Sequence, residues 1–446
     1  MNIKKAWWFL GGQAIDADAT AFNTAAGITD PTQKNAINTL VIALKAANLW
    51  TSLTAIWPYV GGTASTHKWN LKDPRDLDAA YRLVFAGGIT HDSNGVTFNG
   101  STGYADTKLN ALTVFSTNYM SMHNYVRSWT TGVLMSGSLA QLEWSVNSVG
   151  ANGNTTGVTF PAIKTGMLSV TRDATNVYKT SDGAVQTFAN AFTGNGNINM
   201  NIGRYATGSN LYSNANIAFS AIGTLTSAQS ITLDAIVYNY QVALSRNVTR
   251  NDFAFYFGDS ITAGFGVTAT TRWSYLLSVN KSWNEVNFGI TDTTLQNENA
   301  NSMINRLALI PTKQDNFKGL FISYAYNDVT RILLGTSGFS ESNYQSTLAT
   351  IIAAAKAKGW TDSTIFINVA YYEETTSWQG SGSGLGMPIY SNLITNAGNE
   401  CTISGATHLN PFSISAGGFI EGAAPKIHPD ATRHAAIATY LDSVIP

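Results

Sequence analysis

Hydrophobic and polar positions change rhythm twice along the chain. Up to about Trp57 the spacing is helical, with Ile37, Leu40, Val41, Leu44 and Leu49 at near-helical intervals. Asp30 is placed to cap that helix, Pro31 suits its first position, and Gly27 is placed to end a shorter helix holding Phe22. From roughly Gly61 to Leu244 short apolar runs are separated by clusters of Gly, Asn, Ser and Thr. Val96-Thr97-Phe98, Leu112 to Phe115, Leu168 to Thr171 and Ile217 to Ser220 are such runs, and their rhythm predicts a β-sandwich, a jelly roll. After a polar stretch from Ser245 to Asp252 that predicts a linker, strands and helices alternate. Strands are predicted at Phe253 to Phe257, Glu285 to Phe288, Leu320 to Tyr324 and Thr364 to Tyr371. Helices are predicted around Trp273 to Val279, Tyr344 to Ala357 and from Ala431 onward. Such alternation predicts an α/β doubly wound parallel sheet, whose ligands sit beyond the carboxyl ends of the strands. The expected division is a helical attachment segment over 1–60, a sandwich over 61–245 and an α/β domain over 253–446.

Composition sharpens this. A chain of 446 residues fits about three units at ~150 residues each. Charged residues make up 12%, about half the usual share, while aromatic residues reach 11% with 11 Trp and 19 Tyr. The surface is therefore dressed largely in Asn, Thr, Ser and Gly, as suits an extracellular or fibre-like β protein. Lys+Arg 26 against Asp+Glu 27 speaks against nucleic acid or an anionic membrane as the main partner. A single cysteine, Cys401, excludes an intramolecular disulfide and any zinc site built on paired cysteines. No apolar run approaches the ~18 residues of a membrane span. Lys4 and Lys5 followed by Ala6 to Leu10 have the outline of a signal peptide, but the apolar run is short and meets Gly11-Gly12. The expectation is that this stretch stays with the mature chain.

The chemistry gathers at predicted strand ends. The first strand of the α/β segment runs into Gly258-Asp259-Ser260-Ile261-Thr262, so a serine hydroxyl falls where the chain must turn. The second ends at Asn287-Phe288-Gly289 and the third at Ala325-Tyr326-Asn327-Asp328. The N–H groups of Ser260 and Gly289 and the Asn327 amide would make a three-donor oxyanion hole. Ile427-His428-Pro429 offers a general base ahead of the last helix. Each residue also has a plainer role available: Ser260 as a helix cap, Gly289 in a tight turn, Asn327 in a turn, His428 as a structural histidine. Asp259 is expected to organise loop N–H groups, and His408 and His434 to be bystanders. Gly264-x-Gly266 lies too far past its strand for a dinucleotide fingerprint. Tyr326, Tyr371, Tyr372 and Trp378 fall near strand ends and would offer sugar rings a stacking surface, or serve core packing.

Together these blocks resemble the SGNH/GDSL hydrolase superfamily over about residues 253 to 446. The resemblance implies Ser260 as nucleophile, Gly289 and Asn327 as oxyanion donors and His428 as base, with no metal or organic cofactor. Two positions depart from the family pattern. Ala325 stands where glycine is usual, and Pro425 stands where an aspartate usually holds the histidine. The expectation is a Ser260–His428 dyad, with a main-chain carbonyl from Gly422 to Lys426 holding the second ring nitrogen. In the front half, Phe98-Asn99-Gly100-Ser101-Thr102-Gly103-Tyr104, Ile202-Gly203-Arg204-Tyr205 and Ile217-Ala218-Phe219 resemble a laminin-G-like or concanavalin-like sandwich. Thr20 to Gly27, Lys45 to Trp50 and Gly61 to Asn70 are similar to modules of bacteriophage tail and virion proteins. The hydrolase resemblance implies a serine esterase and allows acetyl esters on polysaccharides, lipid esters and aryl esters as substrates. The low-charge surface and the lectin-like sandwich point among these to O-acetyl groups on a bacterial surface polysaccharide, and the virion resemblance implies that glycan, other virion proteins and further copies of the chain as partners. Two rivals stay open: a non-catalytic receptor-binding virion protein on a decayed hydrolase fold, and a secreted bacterial carbohydrate esterase.

Overall fold

Asp30 and Pro31 start a helix as their order implies: Pro31–Ala46, with Asp30 Oδ1 accepting the Gln33 N–H at 2.8 Å. This computed structural model describes residues 14–115, 119–130, 132–137, 143–144, 149–150, 165–189, 197–205, 211–369, 386–409 and 428–445. The chain divides into two compact units, Met1–Arg250 and Asn251–Pro446.

In the first unit, helices Ala17–Ala25 and Pro31–Ala46 bury Phe22, Ile37, Leu40, Val41 and Leu44. These side chains share one core with Ile56, Phe219, Leu233, Val237 and Tyr240, so residues 14–60 pack as part of the β segment's own core. Two elements depart from the sequence expectation. Leu53–Trp57, inside the stretch expected to be helical, is a strand pairing antiparallel with Asn216–Gly223. Ser227–Ala243, inside the stretch expected to be all β, is a helix. Its start is a reciprocal cap, in which Gln229 N–H donates to Thr226 Oγ1 at 3.2 Å and Thr226 N–H to Gln229 Oε1 at 2.9 Å. Among the described residues the strands form three antiparallel sheets, of eight, four and two strands. Arg246, in the expected linker, is buried, and its guanidinium donates to the carbonyls of Pro58, Tyr59 and Ala218 and to Gln241 Oε1. That stretch is thus anchored at its start, because a buried cation must satisfy its donors.

The second unit is built on five parallel strands, β1 (Phe253–Gly258), β2 (Asn284–Asn287), β3 (Phe317–Ser323), β4 (Ile365–Asn368) and β5 (Thr407–Leu409). Their order is β2-β1-β3-β4-β5. Every residue of β1 is buried, as expected of a central parallel strand covered on both faces. The helices are α1 (Ser260–Ala263), α2 (Trp273–Asn280), α3 (Tyr326–Leu333), α4 (Glu341–Ala357), α5 (Gly386–Ser404) and α6 (Ala431–Val444). Tyr256, Phe321 and Phe366 stack across three neighbouring strands at 4.6 and 4.8 Å between ring centres. Trp273 and Leu277 of α2 and Ile437 and Leu441 of α6 close that layer. Strand order reverses between β1 and β3, and in sheets of this kind ligands sit beyond the carboxyl ends of the strands at such a switch point. Among the described residues no helix is long and apolar enough to cross a membrane.

Candidate active site

The site begins where β1 stops. A Cβ on Gly258 would lie 2.1 Å from Thr262 Oγ1 and 2.7 Å from the Ser323 carbonyl oxygen, so only glycine lets β1 pass so close to β3 and α1. Asp259 then caps α1, its Oδ1 accepting the Ile261 N–H at 3.0 Å, in the organising role expected of it. Ser260 is the first residue of α1, so its N–H has no acceptor within the helix. Burial pushes the Asp259 carboxyl up to about 7, and the negative charge of Asp328 adds to the shift.

The loop after β2 is fastened to α1. Asn287 Nδ2 donates to the Thr262 carbonyl at 2.7 Å and to Ser274 Oγ at 2.9 Å, while its Oδ1 accepts the Gly289 N–H at 2.8 Å. Arg272, paired with Glu285, donates to the Ala263 carbonyl at 3.3 Å. The carbonyls ending α1 are therefore held by side chains from outside the helix. A Cβ on Gly289 would lie 2.4 Å from Ala263 N and 2.8 Å from Thr262 C, which places this glycine directly against the α1 backbone. Its N–H, expected to face an oxyanion, is engaged by Asn287.

Asn327 follows β3 as the second residue of α3 and is buried. Its Nδ2 donates to the Thr293 carbonyl at 2.9 Å, which uses one of two amide hydrogens. Next to it, Asp328 accepts the N–H groups of Leu295 and Gln296 at 2.8 and 3.0 Å, and Arg331 reaches Asp292 and Glu298. Three residues of α3 thus strap down the loop that carries on from Gly289. Burial pushes the Asp328 carboxyl up to about 6. Ala325, where the hydrolase resemblance expects a glycine, has a φ of −165°, which any residue adopts.

His428 closes the constellation. Its Nε2 lies 2.9 Å from Ser260 Oγ across 168 positions of sequence. Asp430 caps α6, accepting the Arg433 N–H at 2.9 Å. His434 is buried and accepts the Trp273 N–H on Nδ1 at 3.1 Å; burial holds its ring down to about 4. His408 lies on β5. Tyr326 opens α3, half-buried. Tyr371, Tyr372 and Trp378, and the Gly422 to Lys426 segment with Pro425, lie outside the described residues. Among the described residues no group of three or more His, Cys, Asp or Glu side chains is placed to hold a metal.

Sequence reasoning missed several side chains here. Asn287, two positions before Gly289 at a strand end, is the anchor of that turn. Arg272 and Glu285 give no motif, because the pair forms only when β2 and the start of α2 meet. Phe265 is 50% exposed and tilts at 39° over the His428 ring, 4.5 Å between centres.

No protein-family model matches the chain, and no curated protein does. Among solved structures the chain is similar to a member of the lipolytic protein G-D-S-L family from Veillonella parvula DSM 2008, at 18% identity and a TM-score of 0.33, over 43% of this chain and 96% of that one. It is also similar to a carbohydrate acetylesterase family member from Sinorhizobium meliloti, at 13% identity and a TM-score of 0.35, over 44% of this chain and 97% of that one. A third is Est24, a carbohydrate acetylesterase from the same organism, at 10% identity and a TM-score of 0.34, over 43% and 97% of the two chains.

Proposed function

We propose that the second unit is a serine ester hydrolase of the SGNH type, and the observation that carries this is the 2.9 Å contact between His428 Nε2 and Ser260 Oγ. In the proposed reaction the Ser260 hydroxyl proton passes to Nε2 as Oγ bonds to the ester carbonyl carbon. The carbonyl oxygen takes the negative charge, facing the Ser260 N–H and the second hydrogen of Asn327 Nδ2. Gly289 adds its N–H as a third donor by sharing or leaving Asn287 Oδ1. Collapse breaks the bond to the alcohol oxygen, which takes the proton from His428. Water repeats the sequence and releases the acid. A remnant that only binds a receptor has no need of this contact, which favours the catalytic reading over the decayed one.

For substrate we propose O-acetyl groups on a polysaccharide, since a chain with only 12% charged residues suits a neutral glycan. The first unit would be a laminin-G-like or concanavalin-like sandwich that positions that glycan, in a bacteriophage tail or virion protein that works as a homo-oligomer. Acetate release from acetylated bacterial polysaccharides by the full chain, lost in Ser260→Ala, is the test. Equal release by both proteins would refute the assignment, and detecting the chain in purified virions separates the virion setting from a secreted enzyme.

A further inference from the structure

Phe265 is an apolar ring kept half in water beside the proposed dyad, and its backbone is held firmly. The N–H groups of Gly264 and Phe265 both donate to the Ser260 carbonyl, at 3.0 and 2.9 Å. Gly264 and Gly266 on either side have φ of +80° and +76°. This turn fixes the ring relative to Ser260, while its 50% exposure forgoes part of the stabilisation that burying an aromatic side chain contributes. The ring lies against His428, 4.5 Å between centres. Resting on the esterase reading above, His428 Nε2 must hand its proton to the departing alcohol oxygen, which therefore comes within about 3 Å of Nε2. The acyl group stays bonded to Ser260. The part of the substrate passing Phe265 is accordingly the alcohol.

We propose that Phe265 is a specificity-determining residue that contacts the alcohol side of the ester and favours alcohols presenting a ring face, aryl or pyranose, over short alkyl alcohols. Benzyl acetate and ethyl acetate test this in the full chain, because their alcohols differ little in acidity but only one carries a ring. Phe265→Ala should lower kcat/KM for benzyl acetate about three- to tenfold, the range of one aromatic face contact, and leave ethyl acetate within about twofold. Phe265→Trp should restore the preference and Phe265→Leu should not. An equal loss on both esters would assign Phe265 to positioning His428 alone, and no loss on either would remove it from the site; each overturns the proposal. Ser260→Ala runs in the same assay: hydrolysis that survives it refutes the esterase reading itself, whichever way the Phe265 variants behave.

Discussion

Gly289→Ala probes the packing of the nucleophile more sharply than removal of the nucleophile does. The new Cβ would stand 2.4 Å from Ala263 N and 2.8 Å from Ala263 Cα and Thr262 C, all backbone atoms, where ordinary contact begins at 3.4 Å. No flexible side chain can yield, so α1 and the loop after β2 must part by about 1 Å. If α1 takes that shift, the 2.9 Å Ser260–His428 contact opens to as much as ~3.9 Å, beyond reach for proton transfer. A misplacement of that size costs about 10²-fold in kcat. Overpacking should also cost about 1–3 kcal/mol of stability. For a unit of this size that lowers Tm by ~2–4 °C per kcal/mol. Gly335→Ala is the control: its φ is +62° and no atom lies within 4 Å of the added Cβ, so it strains the backbone without touching the site. The assay is kcat on p-nitrophenyl acetate well below both melting points, with thermal melts in parallel. Wild-type kcat in Gly289→Ala, or an equal loss of kcat in Gly335→Ala, would refute the packing argument.

Asn327→Ala should lower kcat by ~10²–10³ with little change in KM, the loss expected for one oxyanion donor; a change confined to KM would make Asn327 a binding residue only. Asp259→Asn should flatten part of the pH dependence of stability. Burial raises Asp259 from its ordinary 3.8 to about 7, so across that window the folded chain keeps a proton that the unfolded chain has lost. Stability therefore falls as pH rises from about 4 to about 7. The asparagine keeps an oxygen for the Ile261 N–H and removes this titration. Urea midpoints from pH 4 to 7 that fall equally in both proteins would contradict the shift.

The sequence carried the second unit well because its central strands are continuous apolar runs. Phe253 to Phe257 and Leu320 to Tyr324 cannot be surface segments, and the residues after them must fall at one sheet edge. Placing Ser260 and Asn327 at neighbouring strand ends needed nothing further. The helix α3 was not legible, because Asn327, Asp328 and Arg331 look like a turn, and they are polar because they face the loop they strap down. Three-residue β5 is too short to show a period. In the first unit Leu53–Trp57 pairs with residues more than 160 positions away, a contact no local pattern announces. The cap of Ser227–Ala243 was in plain view as Thr226-x-x-Gln229, but the strand rhythm read from Gly61 to Leu244 hid it. The engagement of the Gly289 N–H by Asn287 and the placement of Phe265 over His428 are properties of packing and have no sequence signature.

The claim that Ser260 is the nucleophile and His428 its base is tested most directly by covalent capture. Diethyl p-nitrophenyl phosphate should leave one diethylphosphoryl group per chain, on the peptide containing Ser260, with esterase activity falling in proportion to the adduct. His428→Ala should slow that labelling by orders of magnitude while leaving Ser260 in place. Hydrolysis that continues with Ser260 fully labelled, or labelling that proceeds as fast without His428, would contradict the account.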